Sequence, residues 1–129
     1  MKRYLLITCC LLLGLLAAPK ARAYDFSAVA PSGQTLYYNI VSGHAEVTCP
    51  TQSWNGFSTP VGRVVVPSSV VHNGVTYQVT AIGAWAFGDC KNIVTVSLPE
   101  CIQEIKTNAF RCCSLVYIEI PDNVVSIGY

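Results

Sequence analysis

Apolar side chains in the second half of the chain recur in a fixed order. Ile93, Val96 and Leu98 return as Leu115, Ile118 and Ile120, and Pro99 and Pro121 close the two runs 22 residues apart. Within each run the apolar positions alternate with Thr95 and Ser97, then with Tyr117 and Glu119. On a strand that alternation sends one set inward and the other outward. Each proline ends its strand by removing a ladder donor. Ile82, Ile105 and Ile127 mark a second, shorter inward strand. Between the two lies a turn carrying Ala86-Phe87 or Ala109-Phe110, where the small residue lets the backbone close and the ring fills the coil. A further copy opens at Val125-Ser126-Ile127-Gly128 and is incomplete. Such a period predicts a solenoid whose units bury their apolar faces against their neighbours. No helical pattern is long enough for a full helix, so the predicted class is a β-rich α/β solenoid with few or no full helices.

The pattern also divides the chain. Repeats are expected over 63–129, beginning with Val64-Val65-Val66-Pro67. Pro67 to Pro99 is 32 residues, ten more than the next interval. The extra residues, 70–79, hold Asn73-Gly74 between two β-branched alternating runs, which predicts a projecting hairpin on a type I′ turn. His72 beside that turn is read as solvated. Residues 24–62 lack the repeat. Leu36 to Val41 and Ala45 to Cys49, separated by Ser42-Gly43-His44, predict a β-hairpin, and the segment is assigned as the cap that covers the first coil's open edge. Thr51 to Pro60 reads as a loop, with Trp54 and Phe57 either folding back on the hairpin or forming an exposed tip.

The start of the chain is different in kind. Lys2 and Arg3 precede an apolar run from Tyr4 to Ala18, and Ala21-Arg22-Ala23 supplies a small-x-small cleavage pattern. Residues 1–23 are therefore read as a signal peptide cut after Ala23, since about 15 apolar residues fall short of the roughly 20 needed to span a bilayer. The chain from Tyr24 is expected to be exported, to lie outside the cell or on its surface, and to carry no transmembrane segment. Four of its residues are basic and seven acidic, a net charge of −3. No basic patch remains for nucleic acid.

Five cysteines stay after cleavage: Cys49, Cys90, Cys101, Cys112 and Cys113. There is no C-x-x-C pair, and His44 and His72 lie far from any cysteine cluster, so no metal site is expected. Cys90 and Cys112 are read as equivalent positions one coil apart, packing as small hydrophobes or bridged by a disulfide. Cys113 would then face outward as a free thiol. A cysteine hydrolase would need a thiolate beside a histidine. Neither histidine sits in a recognisable catalytic motif, and no phosphate-binding loop or paired carboxylates occur, so no enzyme activity and no cofactor are expected.

The outward strand positions are Arg63 and Val65, Thr95 and Ser97, then Tyr117 and Glu119. They form a candidate protein-binding stripe, with an ordinary solvated sheet face as the alternative. Trp85 occupies the place of Asn108 in the next unit, so the coil does not need it inside. It is a second candidate contact, unless it packs against the inserted hairpin.

Residues 90–110 and 112–128 resemble the BspA-like (treponemal-type) leucine-rich repeat, whose unit reads roughly C-x-x-L-x-x-I-x-I-P-x-x-(V/I)-x-x-I-x-x-x-A-F-x-x. The first Leu position is Ile93, and one residue separates Phe110 from Cys112 where the pattern has two. The stretches 33–40 and 67–82 are similar to the beginning of such proteins. The resemblance implies a non-enzymatic secreted or cell-surface protein that binds other proteins, such as extracellular matrix or surface proteins, in adhesion. A structural, self-assembling surface module is the alternative. Family members stack many coils, so the chain is expected to be the N-terminal part of a longer one.

Overall fold

A computed structural model describes residues 24–50 and 60–129. The expected signal peptide, 1–23, and the loop bearing Trp54 and Phe57 lie outside the described residues. Every regular element among the described residues is a strand.

The chain opens with a three-strand antiparallel meander: β1 (Phe26–Val29), β2 (Thr35–Val41) and β3 (His44–Thr48). Alternation in β2 buries Leu36 and Tyr38 completely. The β2–β3 turn places Ser42 and Gly43 at φ 50° and 81°, the left-handed pair that a two-residue primed turn requires. β1 was not foreseen, because four residues with one fully inward side chain, Phe26, carry too little alternation to stand out.

The repeats begin at β4 (Gly62–Val65), followed by the hairpin β5 (Ser69–His72) and β6 (Val75–Ile82). Asn73 and Gly74 sit at φ 50° and 78°, the expected type I′ geometry. The hairpin does not project, however. Its His72 ring stacks on Phe26, 4.4 Å between centroids and 9° from parallel, and Tyr77 lies 6.3 Å from the same ring. His72 is thus packed against the cap and not simply solvated, because the Phe26 ring of β1 lies against its face.

The remaining strands are β7 (Ile93–Ser97), β8 (Glu104–Ile105), β9 (Tyr117–Ile118) and β10 (Ser126–Ile127). One sheet runs β1-β2-β3-β6-β8-β10, with β5 added to β6; a second runs β4-β7-β9. From β3 onward each sheet grows by parallel pairing, one strand per coil. Ile105 is in register with Ile82 on one side and Ile127 on the other, and Val96 with Val64 and Ile118. These are the columns expected from the repeat, but Ile127 and Ile120, read as inward, are exposed, because no described residue covers the outer side of the last rung. Val64, Val79, Ile82, Phe87, Ile93 and Ile102 are fully buried between the sheets. At about 1.5–3 kcal/mol per large apolar side chain, these columns are the principal source of stability.

Two columns differ from expectation. Phe87 is fully buried, whereas Phe110, stacked on it at 5.4 Å, is only half-buried, being one coil nearer the uncovered edge formed by β9 and β10. The cysteine column is offset by one. Cys90 N–H donates to Phe87 O, and the matching bond is Cys113 N–H to Phe110 O. Asp89 and Cys112 share the left-handed conformation, at φ 58° and 56°. The partner of Cys90 is therefore Cys113, whose thiol points back to Phe87 O, and Cys112 is the exposed one. The one-residue contraction falls after Cys113, at Ser114, because equivalent turn positions keep a 23-residue spacing up to that point: Trp85 with Asn108, Asp89 with Cys112, and Cys90 with Cys113.

Candidate functional site

The sheet β4-β7-β9 has one face on the core and one uncovered by any described residue. Its register sets Arg63 beside Thr95 and Thr95 beside Tyr117, and sets Val65 beside Ser97. Glu119, two residues beyond Tyr117, extends the second row. The six outward strand residues are therefore brought together as two adjacent rows, a consequence of parallel in-register pairing: any outward position repeats one strand spacing away. Tyr117 is 61% exposed, and its hydroxyl lies 3.4 Å from Glu119 Oε2 as a donor.

The rows floor a depression of about 440 Å³ lined by Arg63, Thr95, Ser97, Leu98, Glu100, Tyr117, Glu119 and Pro121, among others. Glu100, Leu98 and Pro121 were missed by sequence reasoning, which followed only the strand alternation. The signal available was the chain reversal after each closing proline, which swings Pro99-Glu100 back along the rim. The cap holds the far edge. Gln34 Nε2 donates to the carbonyls of Val61 and Arg63, both at 2.9 Å, and Val65 N–H donates to Ser32 Oγ at 2.8 Å. The turn between β1 and β2 thus occupies the edge of β4 and fixes the Arg63 end of the depression.

Trp85 does not join this group. It lies in the turn between β6 and β7, half-buried, at φ 61°. Its ring sits against Gly88 and beneath the Arg111 guanidinium, 5.3 Å from the centroid. The contact is with the following coil, where sequence reasoning had offered the inserted hairpin.

Two of the thiols, Cys101 and Cys113, are not tuned for nucleophilic work. Burial pushes the Cys101 and Cys113 thiols up from their ordinary value, the opposite of the lowered value that an attacking thiolate needs. Cys101 donates to Val79 O at 3.1 Å and Cys113 to Phe87 O, so both act as donors that tie adjacent coils. Among the described residues no group of three or more His, Cys, Asp or Glu is placed to hold a metal ion. Among them, too, no helix is long and apolar enough to cross a membrane.

On the opposite sheet Lys106 Nζ pairs with Glu46 Oε2 at 2.6 Å. The pair reaches over Gly83, where a Cβ would stand 2.7 Å from Val47 O and 2.8 Å from Glu46 Oε1. The glycine is what lets a cap residue and a residue of the next coil meet across β6.

The parallel pairing from coil to coil in both sheets, the isoleucine columns and the cysteine beside each turn agree with one family, described as the BspA type leucine rich repeat region (6 copies), whose pattern matches residues 68–129. Residues 68–129 carry the BspA-type leucine-rich repeat pattern. Solved structures agree. A leucine rich cell surface protein from Faecalibacterium prausnitzii A2-165 is 28% identical over 81% of this chain, with a TM-score of 0.55. A leucine-rich repeat protein from Bacteroides capillosus is 26% identical over 80% of the chain, with a TM-score of 0.60. A leucine-rich repeat protein from Bacteroides ovatus, 21% identical over 81% of the chain at a TM-score of 0.51, shares the fold. This chain spans 27%, 71% and 37% of the lengths of those three. No curated protein gives a significant match.

Proposed function

We propose that this leucine-rich repeat protein is exported through residues 1–23, cut near Ala23, and acts without catalysis as a protein-binding, adhesive module at the cell surface. Its binding face is the outward side of β4-β7-β9, and its partner is another protein, of the extracellular matrix or of a neighbouring cell surface. The observation that carries this reading is the register-aligned double row ending in exposed Tyr117, on a sheet face that no described residue covers. A parallel strand face with an exposed tyrosine on its edge strand suits recognition, since aromatic anchors dominate interface energetics. The cell-surface description of the F. prausnitzii relative supports the location.

The test is the pair Tyr117→Ala and Glu119→Ala in one chain. Circular dichroism should match the parent, because neither side chain enters the core. Solid-phase binding to a panel of immobilised extracellular-matrix proteins should weaken by about tenfold or more, the loss of one anchor. Unchanged binding to every matrix protein that the parent recognises would refute the assignment of this face.

A further inference from the structure

The depression on β4-β7-β9 has charge at both ends and little in the middle. At the β4 end stands Arg63, exposed, its backbone fixed by Gln34. At the β9 end stands the exposed carboxylate of Glu119 beside exposed Tyr117, and exposed Glu100 lies on the rim just past the end of β7. Thr95 and Ser97, uncharged, floor the space between. Adjacent strands lie about 4.8 Å apart, so β4 and β9, with β7 between them, are separated by about 10 Å. A polyproline II segment rises about 3.1 Å per residue and completes a turn in three, so its residues three apart roughly match that separation and share one face.

Resting on the binding reading above, the geometry points to the partner's chemistry: an extended peptide segment lying across the three strands, with a basic side chain at Tyr117, Glu119 and Glu100 and an acidic side chain three residues away at Arg63. The basic group is served twice. Its charge meets the two carboxylates, and its flat or methylene stem lies on the Tyr117 ring, an arrangement favourable to lysine and more so to arginine. The Tyr117 hydroxyl donates to Glu119 Oε2, which turns that carboxylate toward the ring and leaves its other oxygen for the ligand. At the other end a carboxylate meets a guanidinium, whose forked donors suit it. The middle of the segment faces Thr95 and Ser97 and is left undemanding. An overall charge of −3 on the exported chain adds a weak long-range preference for the basic end.

The probes are four end-blocked, proline-rich octapeptides that favour polyproline II. One carries arginine and aspartate three positions apart, one two arginines, one two aspartates, and one neither charge. Fluorescence anisotropy against the whole chain should rank the arginine–aspartate peptide tightest, with an affinity that falls as salt rises. Combining Glu100→Gln and Glu119→Gln should cost about fivefold and erase the preference for arginine. Arg63→Gln should erase the preference for aspartate while keeping that for arginine. These side chains are exposed, so the variants fold as the parent does, and circular dichroism checks it. Equal binding of all four peptides, a lead for the two-aspartate peptide, or affinities unmoved by the charge variants would each overturn the inference. If matrix binding still depends on Tyr117 while these peptides fail, the charge pattern is wrong and the face is right. If matrix binding ignores Tyr117, the face itself is wrong.

Discussion

Phe87→Ala tests the architecture most directly. Phe87 is fully buried, one coil above half-buried Phe110, with their rings 5.4 Å apart and 10° from parallel. Removing a buried phenyl ring costs about 3–5 kcal/mol through lost transfer energy and the cavity left behind. A domain of this size holds about 5–15 kcal/mol in total, so the variant sits near the threshold of folding. With a urea m-value of about 2 kcal/mol/M, a 4 kcal/mol loss lowers the midpoint by about 2 M. Phe110→Ala should cost about half as much, because half of its contact is with water already. The double variant should lose less than the sum by about 0.5–1.5 kcal/mol, the worth of an aromatic pair. Urea unfolding followed by circular dichroism supplies all three numbers. Equal costs for the two single variants, or strict additivity in the double, would mean that the rings do not share one column and that the stacking of coils is misread.

Gly83→Ala should destabilise by about 1–3 kcal/mol, since the new methyl meets the Val47 carbonyl, which β3 holds in place, and the Glu46 carboxylate; thermal melts read this, and an unchanged melting temperature would contradict the close approach. Lys106→Met should lose up to about 1 kcal/mol near neutral pH, the range for a partly exposed ion pair. The hydrogen bond to Glu46 raises Lys106 above the ordinary lysine value of 10.5, so its contribution is complete below that value and disappears as pH climbs through the folded one. The stability gap between parent and variant should therefore close only in strong alkali; a gap that closes near pH 8 would rule the pairing out.

What could be read from residues alone was whatever repeats. The period fixed the strand columns at Ile82, Ile105 and Ile127, and alternation fixed which of Thr95, Ser97, Tyr117 and Glu119 face out. Asn73-Gly74 fixed a turn because positive φ at both positions leaves few residue choices. The cysteine column was misassigned for a local reason. Cys112 and Cys113 are identical neighbours, and the proline interval of 22 residues does not say where the missing residue falls. Only the turn hydrogen bonds, which keep the longer spacing as far as Cys113, decide it. His72 was misjudged because its environment is set by Phe26, 46 residues earlier, through a contact with no periodic signature. Glu100 escaped notice for a related reason: the rim of a groove depends on how the chain turns after Pro99, which alternation along a strand does not encode.

One strand has a mechanical meaning. β6 runs unbroken for eight residues, its first half zipped to β5 and its second half flanked by β3 and β8. A fluctuation that peels the hairpin away meets no joint before it reaches the interior of the larger sheet. Cap, hairpin and first coil thus share one spine, and amide protons along Val79 to Ile82 should be the last to exchange with solvent. A load applied at the hairpin is borne sideways by both neighbouring strands at once, the geometry in which many bonds must rupture together.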